Sequence, residues 1–150
     1  MIKDYIINGE TVVMMSISNS SCRIYETEKV FDVDISLKEI LEESCKYFGS
    51  SLEGRTESSK YHLKYDYKLP IIIDENREII IFPTKSYNSL NSYVIFINQI
   101  KDYEKIDNGI KIILKNNKVI EINESFGIFE NQYLRSLKLL NALKNMKKIS

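Results

Sequence analysis

The residue types that most often carry enzyme chemistry are few in this chain. It has two cysteines, Cys22 and Cys45, and one histidine, His62. A catalytic thiol needs a base, an orienting group and an oxyanion pocket within reach, and a zinc site needs several His or Cys ligands. Because Cys45 falls on the apolar face of a predicted helix, we expect core thiols kept reduced in a cytoplasmic protein. The sequence thus predicts neither an enzyme nor a metal or cofactor site.

Lysine and tyrosine alternate over residues 60–68, which read Lys-Tyr-His-Leu-Lys-Tyr-Asp-Tyr-Lys. If this segment is an extended strand, its tyrosines face one side and its lysines the other. It is then either a half-buried strand with a solvated face or a basic edge that neutralises the phosphates of a nucleic acid. In both interpretations the tyrosines point into the core, which argues against base stacking.

Small, hydroxyl and basic residues are concentrated in segment 44–55, which reads Ser-Cys-Lys-Tyr-Phe-Gly-Ser-Ser-Leu-Glu-Gly-Arg. Small residues let a ligand approach the backbone, and serine and arginine donate hydrogen bonds to phosphates and base edges. The plainer interpretation is a helix C-cap followed by an ordinary loop. From the residues alone, both interpretations stay open.

Two helices are predicted from the pattern of caps and apolar residues. Ser36 begins a capping box, and apolar residues follow at helical spacing up to Gly49, which predicts a helix over about 36–48. Residues 49–60 are polar and predict a loop. An amphipathic helix is predicted over about 125–147, with Phe126, Phe129, Tyr133, Leu137, Leu140 and Leu143 on one face and Asn131, Arg135, Lys138 and Asn145 on the other.

The remaining periodic segments predict strands. Residues 2–7 and 11–17 flank Asn8-Gly9 as a type I′ hairpin. The other strands are predicted as a pair at 22–26 and 29–35, a buried hairpin at 71–73 and 79–82, and a meander at 92–106, 110–115 and 118–122. The order of strands and helices predicts one α+β domain over 1–150, β-rich and mostly antiparallel.

The net charge is zero, but the charges are unevenly distributed. Residues 1–44 carry 4 basic and 9 acidic side chains, whereas residues 101–150 carry 10 and 6. The basic end suits either a polyanion or a solvated helix with lysines near its C-terminus. No apolar run is long enough to span a membrane, and the first residues do not resemble a signal peptide.

Four short blocks, in order, resemble the competence transcription factor family (ComK-like). They are segment 44–55, Lys-Leu-Pro-Ile-Ile-Ile-Asp at 68–74, Ile-Phe-Pro-Thr at 81–84, and Ser-Phe-Gly-Ile-Phe-Glu-Asn-Gln at 125–132 followed by Arg135. The resemblance implies an activator of DNA-uptake genes. It also implies that more than one protomer, a homodimer or higher oligomer, binds A·T-rich duplex DNA with paired A- and T-runs, through the minor groove, and bends it.

Within this resemblance, Arg55 is the candidate to enter the groove, Ser50 and Ser51 are candidates for phosphates, and Lys46, Lys60 and Lys64 add electrostatic positioning. Asn131, Gln132 and Arg135 are the second candidates, and they can instead brace the last helix. Some relatives have a further C-terminal tail, so control by an adaptor and protease stays open for this chain. The alternative function is a DNA-free interaction module that pairs with a regulator.

Overall fold

A six-stranded antiparallel sheet forms the centre of the molecule. The structure is a computed structural model, and it describes residues 3–87 and 89–149. Its strand order is β3-β2-β1-β6-β5-β4. The strands are β1 (Thr11–Ser18), β2 (Ser21–Glu26), β3 (Val30–Val33), β4 (Ile71–Asp74), β5 (Ile79–Pro83) and β6 (Tyr93–Phe96). The predicted pairing of 22–26 with 29–35 and the buried hairpin of 71–73 with 79–82 are confirmed.

A second, three-stranded sheet, in the order β7-β8-β9, consists of β7 (Ile100–Ile106), β8 (Gly109–Leu114) and β9 (Val119–Ile122). The prediction that 92–106 is one strand of the meander is wrong. A 3-10 turn over Ile97–Gln99 divides it, because the Asn98 side chain hydrogen-bonds the backbone of Glu78 and Ile80. The residues before the turn join the central sheet, and those after it begin the second sheet.

Three helices complete the fold: α1 (Leu37–Tyr47), α2 (Leu52–Leu63) and α3 (Phe126–Ile149). Side chains of α1 cover one face of the central sheet, while α3 and the three-stranded sheet cover the other. Ser36 caps α1 by accepting from Glu39 N at 3.1 Å, and Gly49 follows with φ +89°, so the predicted caps of the mid-chain helix are confirmed. The predicted α+β class and the C-terminal helix are confirmed as well.

The prediction of a strand before Asn8-Gly9 is wrong for the described residues 3–7. Neither Asn8 nor Gly9 has the positive φ that a type I′ turn requires. Instead, Ile7 N donates to Ser44 Oγ on α1 at 3.0 Å, so this segment is attached to a helix rather than paired with β1. β1 forms its hairpin with β2.

The prediction of a loop over 49–60 is also wrong, because α2 occupies most of it. Ser51 caps this helix by accepting from Gly54 N at 2.9 Å. The buried stripe of α2 consists of Leu52, Arg55, Ser59 and Leu63. Two polar residues in that stripe hide the apolar period from sequence inspection. The helix lies beside α1, α3 and the edge strand β4.

Candidate nucleic-acid interface

Several residues of segment 44–55 stabilise the fold. Ser44 is fully buried and accepts from the backbone of Ile7. Cys45 and Cys22 are free and buried, as predicted. Burial raises the pKa of Cys45 to about 11 and that of Cys22 to about 12, so both thiols stay protonated at neutral pH. A thiol in this state is a poor nucleophile.

Arg55 lies in α2 and is only 9% exposed, so the prediction that it occupies a polar loop is wrong. Its Nη1 donates to Glu75 Oε1 at 2.7 Å, which ties α2 to the turn after β4. Its Nε is buried without a partner among the described residues. A guanidinium in this position serves as a brace between two elements, and its contact with DNA stays a prediction.

Ser50 and Ser51, between α1 and α2, have hydroxyl groups that can donate hydrogen bonds to a ligand. Ser51 Oγ accepts the capping bond through a lone pair, so its hydroxyl proton remains available at an exposed site. Ser50 is half-buried. A Cβ on Gly54 would meet Ser51 Oγ at 3.0 Å, so glycine gives the hydroxyls room at the start of the helix.

An open cleft of about 400 Å³ lies between the segment after α2 and the first half of α3. We call it the α2–α3 cleft. Its lining residues are Lys64, Tyr65, Asp66, Tyr67, Lys68, Ile128, Asn131, Gln132 and Arg135. Lys64 therefore meets Asn131, Gln132 and Arg135 here, although more than sixty residues separate it from them in sequence. Lys46, Ser50 and Ser51 lie at the other end of α2, and Lys60 lies one helical turn before Lys64.

Gln132 fixes the wall of this cleft. It is 3% exposed, and its Nε2 donates to Lys68 O at 2.5 Å and to Pro83 O at 3.0 Å. Its Oε1 accepts from Arg135 Nη1 at 3.1 Å. Its amide ties the helix to the loop and to the end of β5, which is the bracing role that the sequence left open.

Arg135 lies over an aromatic ring at the edge of the cleft. Its guanidinium carbon is 4.0 Å from the centre of the Tyr65 ring, and its Nε is buried without a partner among the described residues. Arg135 is half-buried, whereas Asn131 is exposed. The side chain therefore keeps a cation at the cleft in a defined orientation.

The predicted strand over 60–68 is wrong, and so is the burial of its tyrosines. The helix α2 ends at Leu63, and Lys64 and Lys68 take left-handed backbone with φ of 63° and 52°. Tyr61 and Tyr67 are each 74% exposed and Tyr65 is 39% exposed. These rings are consequently accessible for stacking, which the sequence reading argued against.

The basic residues of α1 and α2 form ion pairs, whereas those of the α2–α3 cleft form none with a described residue. Lys46 pairs with Glu43 at 3.7 Å and Lys60 with Glu57 at 3.6 Å, each within its own helix, and Arg55 pairs with Glu75. Among residues 3–87 and 89–149, no ion pair holds Lys64, Lys68 or Arg135. Asp66 is the one carboxylate in the cleft lining. The cleft therefore carries cations that a ligand can neutralise.

Sequence reasoning missed Tyr65, Tyr67 and Lys68 as candidate residues. The composition of 60–68 did contain the signal, since three lysines and three tyrosines stand close together there. The assumed strand geometry concealed it by assigning the rings to the core. The described residues contain no group of His, Cys, Asp and Glu that could hold a metal ion.

The fold and the cleft together define the class of protein: it is a single α+β domain that presents exposed tyrosines, and cations without ion pairs among the described residues, to a ligand. The chain belongs to the ComK protein family, whose pattern matches residues 2–148, and this confirms the resemblance seen in the four blocks. It is similar to the competence transcription factor of Bacillus subtilis (strain 168), with 30% identity over 139 residues that cover 90% of this chain and 72% of that relative. No solved structure matches the chain. No helix in the described ranges is long and apolar enough to cross a membrane.

Proposed function

We propose that this protein is a DNA-binding transcription activator of competence genes, and that it binds A·T-rich duplex DNA through the α2–α3 cleft. The observation that carries the proposal is the set of unpaired cations in the cleft, which stand beside exposed tyrosine rings. The name of the Bacillus subtilis relative, a competence transcription factor, supports the biological role. A transcription factor is not a class of enzyme, and this role agrees with the predicted cytoplasmic location.

The physical properties of A·T tracts favour such a cleft. Their minor groove is narrow and strongly negative, and it attracts arginine more than lysine because the guanidinium is flat and weakly hydrated. The minor groove distinguishes A·T from G·C pairs but not A·T from T·A. A protein that reads runs of A and T therefore needs a groove-entering cation and phosphate contacts on both sides.

We assign the groove contact to Arg135, with Asn131 beside it as a hydrogen-bonding group. Lys64 and Lys68 neutralise phosphates at the cleft, and Lys60 extends this row along α2. Ser50, Ser51 and Lys46 contact phosphates farther along the duplex, where the exposed start of α2 also favours an anion. In this proposal Arg55 and Gln132 hold the surface in shape rather than touch DNA.

More than one protomer binds in this proposal, because paired A- and T-runs offer two narrow grooves on one duplex. Flexible steps between the runs allow a bend at modest cost. Size-exclusion chromatography with light scattering, performed with and without duplex, measures the number of protomers. Adaptor-dependent proteolysis stays a prediction.

One observation favours the alternative of a DNA-free interaction module. Leu134 and Leu137 are 56% and 39% exposed on α3, and such apolar side chains suit a protein partner. The two functions differ in their response to salt, because neutralised phosphates release counterions and apolar contacts do not.

The test is a binding titration with two duplexes of equal length, one with A- and T-runs and one rich in G·C, followed by fluorescence anisotropy. We expect tighter binding of the A·T-run duplex at one fixed salt concentration. Across a salt series, log K should fall with log salt with a slope of about −0.9 per phosphate contact, summed over several contacts. A flat salt response, or equal affinity for both duplexes, would contradict the proposal.

A further inference from the structure

The stack of Arg135 on Tyr65 has a feature that simple packing does not require. The ring lies 4.0 Å from the guanidinium carbon, and Arg135 forms no ion pair among the described residues. Its one hydrogen bond there, from Nη1 to Gln132 Oε1, is to a neutral group. Its charge is therefore held in place without being neutralised.

The ring itself belongs to a loop with a fixed path. Lys64 N donates to Lys60 O at 2.9 Å as the cap of α2, which fixes the loop at its start. Gln132 holds the carbonyl of Lys68, which fixes the loop at its end. Leu69 and Pro70 then enter the core. Tyr65 thus stands on a segment that is anchored on both sides, and it can define the position of a side chain that rests on it.

We propose that Tyr65 is a positioning residue that holds the Arg135 guanidinium in the orientation in which it enters an A·T minor groove. This inference rests on the proposed function of the cleft and adds a determinant of its selectivity. A free arginine loses side-chain entropy when a groove confines it, and a guanidinium already stacked on a ring has lost much of that freedom before binding. The ring contributes through its π-face, so the hydroxyl group is dispensable.

If Tyr65 has this role, its removal should lower the preference for A·T-run DNA without changing the number of neutralised phosphates. Replacing Tyr65 by alanine leaves Arg135 charged, so the number of neutralised phosphates and the slope of log K against log salt should stay unchanged. The ratio of affinities for the A·T-run and G·C-rich duplexes should fall by about two- to fivefold, the range expected for one cation–π contact at a partly exposed site. Tyr65→Phe should keep the parent ratio.

The test measures both affinities and the salt slope for the parent, Tyr65→Phe, Tyr65→Ala and Tyr61→Ala. Tyr61 is the matched control because it is an exposed tyrosine whose ring faces Lys64 Nζ at 5.7 Å rather than Arg135, so its loss should leave the ratio of affinities unchanged. A second pair, Arg135→Lys and Tyr65→Ala/Arg135→Lys, tests coupling. Because the ring acts only through the guanidinium, removing it from the lysine variant should cause no further loss of selectivity.

Three outcomes would overturn the inference. The first is a Tyr65→Ala variant with the parent ratio. The second is a variant that loses affinity equally for both duplexes together with a lower melting temperature, which indicates a structural role. The third is a Tyr65→Ala change that lowers the ratio of affinities as much in the Arg135→Lys variant as in the parent. If the parent itself shows no preference for the A·T-run duplex, the proposed function fails first, and that result is visible before any variant is measured.

Discussion

Segment 44–55 and the α2–α3 cleft contain similar residue types and use them in opposite ways. In the segment, Ser44 and Ser51 satisfy backbone N–H groups, and Arg55 pairs with Glu75. In the cleft, Lys64 and Arg135 lie over tyrosine rings, Arg135 donates to the neutral Gln132 side chain, and neither forms an ion pair with a described residue. The same chemistry that makes a residue suitable for phosphate thus also makes it suitable for bracing the fold, and the partners decide between the two.

The four blocks that identify the family likewise contain residues that stabilise the fold. Phe129 is fully buried against Phe82, Gln132 holds two carbonyls, and Thr84 Oγ1 accepts from Tyr93 N at 3.0 Å. These signature residues build the core and its joints. The cations of the cleft stand next to the blocks or at their ends, where they remain available.

The largest effect that separates the two regions is expected for Arg55→Ala. The change removes the packing of a buried arginine side chain and its ion pair with the exposed Glu75, and it should lower the free energy of unfolding by about 2 kcal/mol. Urea denaturation measures this, with the exposed Lys46→Ala as a control that should stay within about 0.5 kcal/mol. An Arg55→Ala protein of parent stability that no longer binds DNA would show that the segment, and not the cleft, reads the groove.

The next effect concerns binding and is expected for Arg135→Ala. Loss of the groove contact should weaken binding of the A·T-run duplex by about 1–3 kcal/mol, with much less change for the G·C-rich duplex. Lys138→Ala is the matched control, because Lys138 is an exposed cation of the same helix outside the cleft. Anisotropy titrations of both variants measure the difference, and equal losses would remove the special role of Arg135.

A smaller effect is expected for Lys64→Ala, which removes one phosphate contact. The slope of log K against log salt should fall in magnitude by about 0.9, and the preference for A·T runs should persist. Lys101→Ala removes an exposed lysine of β7 and should leave the slope unchanged. If both variants change the slope equally, the electrostatic contact is not confined to the cleft.

The smallest effect concerns Cys45, whose pKa is raised by burial to about 11. Between about pH 9 and 11 the unfolded chain loses a thiol proton that the folded chain keeps, so stability falls as pH rises. Cys45→Ala should reduce this alkaline loss by about 1 kcal/mol between pH 8 and pH 10. Urea midpoints at pH 8 and pH 10 measure it. An unchanged pH dependence would mean that the thiol is not buried in the folded state.

The parts of the fold that were predicted correctly have local signals. The isoleucine runs of β4 and β5 and the capping box of α1 are complete within a few residues of sequence. Helix α2 has no such signal, because its buried stripe contains Arg55 and Ser59, and Ser59 is accommodated by donating to Pro70 O at 2.7 Å. That partner is set by the tertiary fold and is invisible in a window of sequence.

The candidate residues show the same limit. Lys64, Asn131 and Arg135 were predicted singly from residue type and resemblance, but their meeting in one cleft depends on how α2 packs against α3. Tyr65 was assigned to the core because a strand was assumed. Lys64 takes left-handed backbone as the C-cap of α2, and the loop after it is held by Gln132, which is far away in sequence and donates to Lys68 O.

Site-specific photocrosslinking tests the central claim most directly, that the α2–α3 cleft reads the A·T minor groove while segment 44–55 supports the fold and contributes only phosphate contacts. Tyr67 in the cleft and Tyr47 in the segment are a matched pair, since they are 74% and 71% exposed. Each is replaced in turn by p-benzoylphenylalanine, and the protein is irradiated with an A·T-run duplex. Our account predicts a strong DNA crosslink from position 67 and a weaker one from position 47, which lies beside phosphate contacts and outside the groove-reading cleft. A crosslink from position 47 with none from position 67 would contradict it.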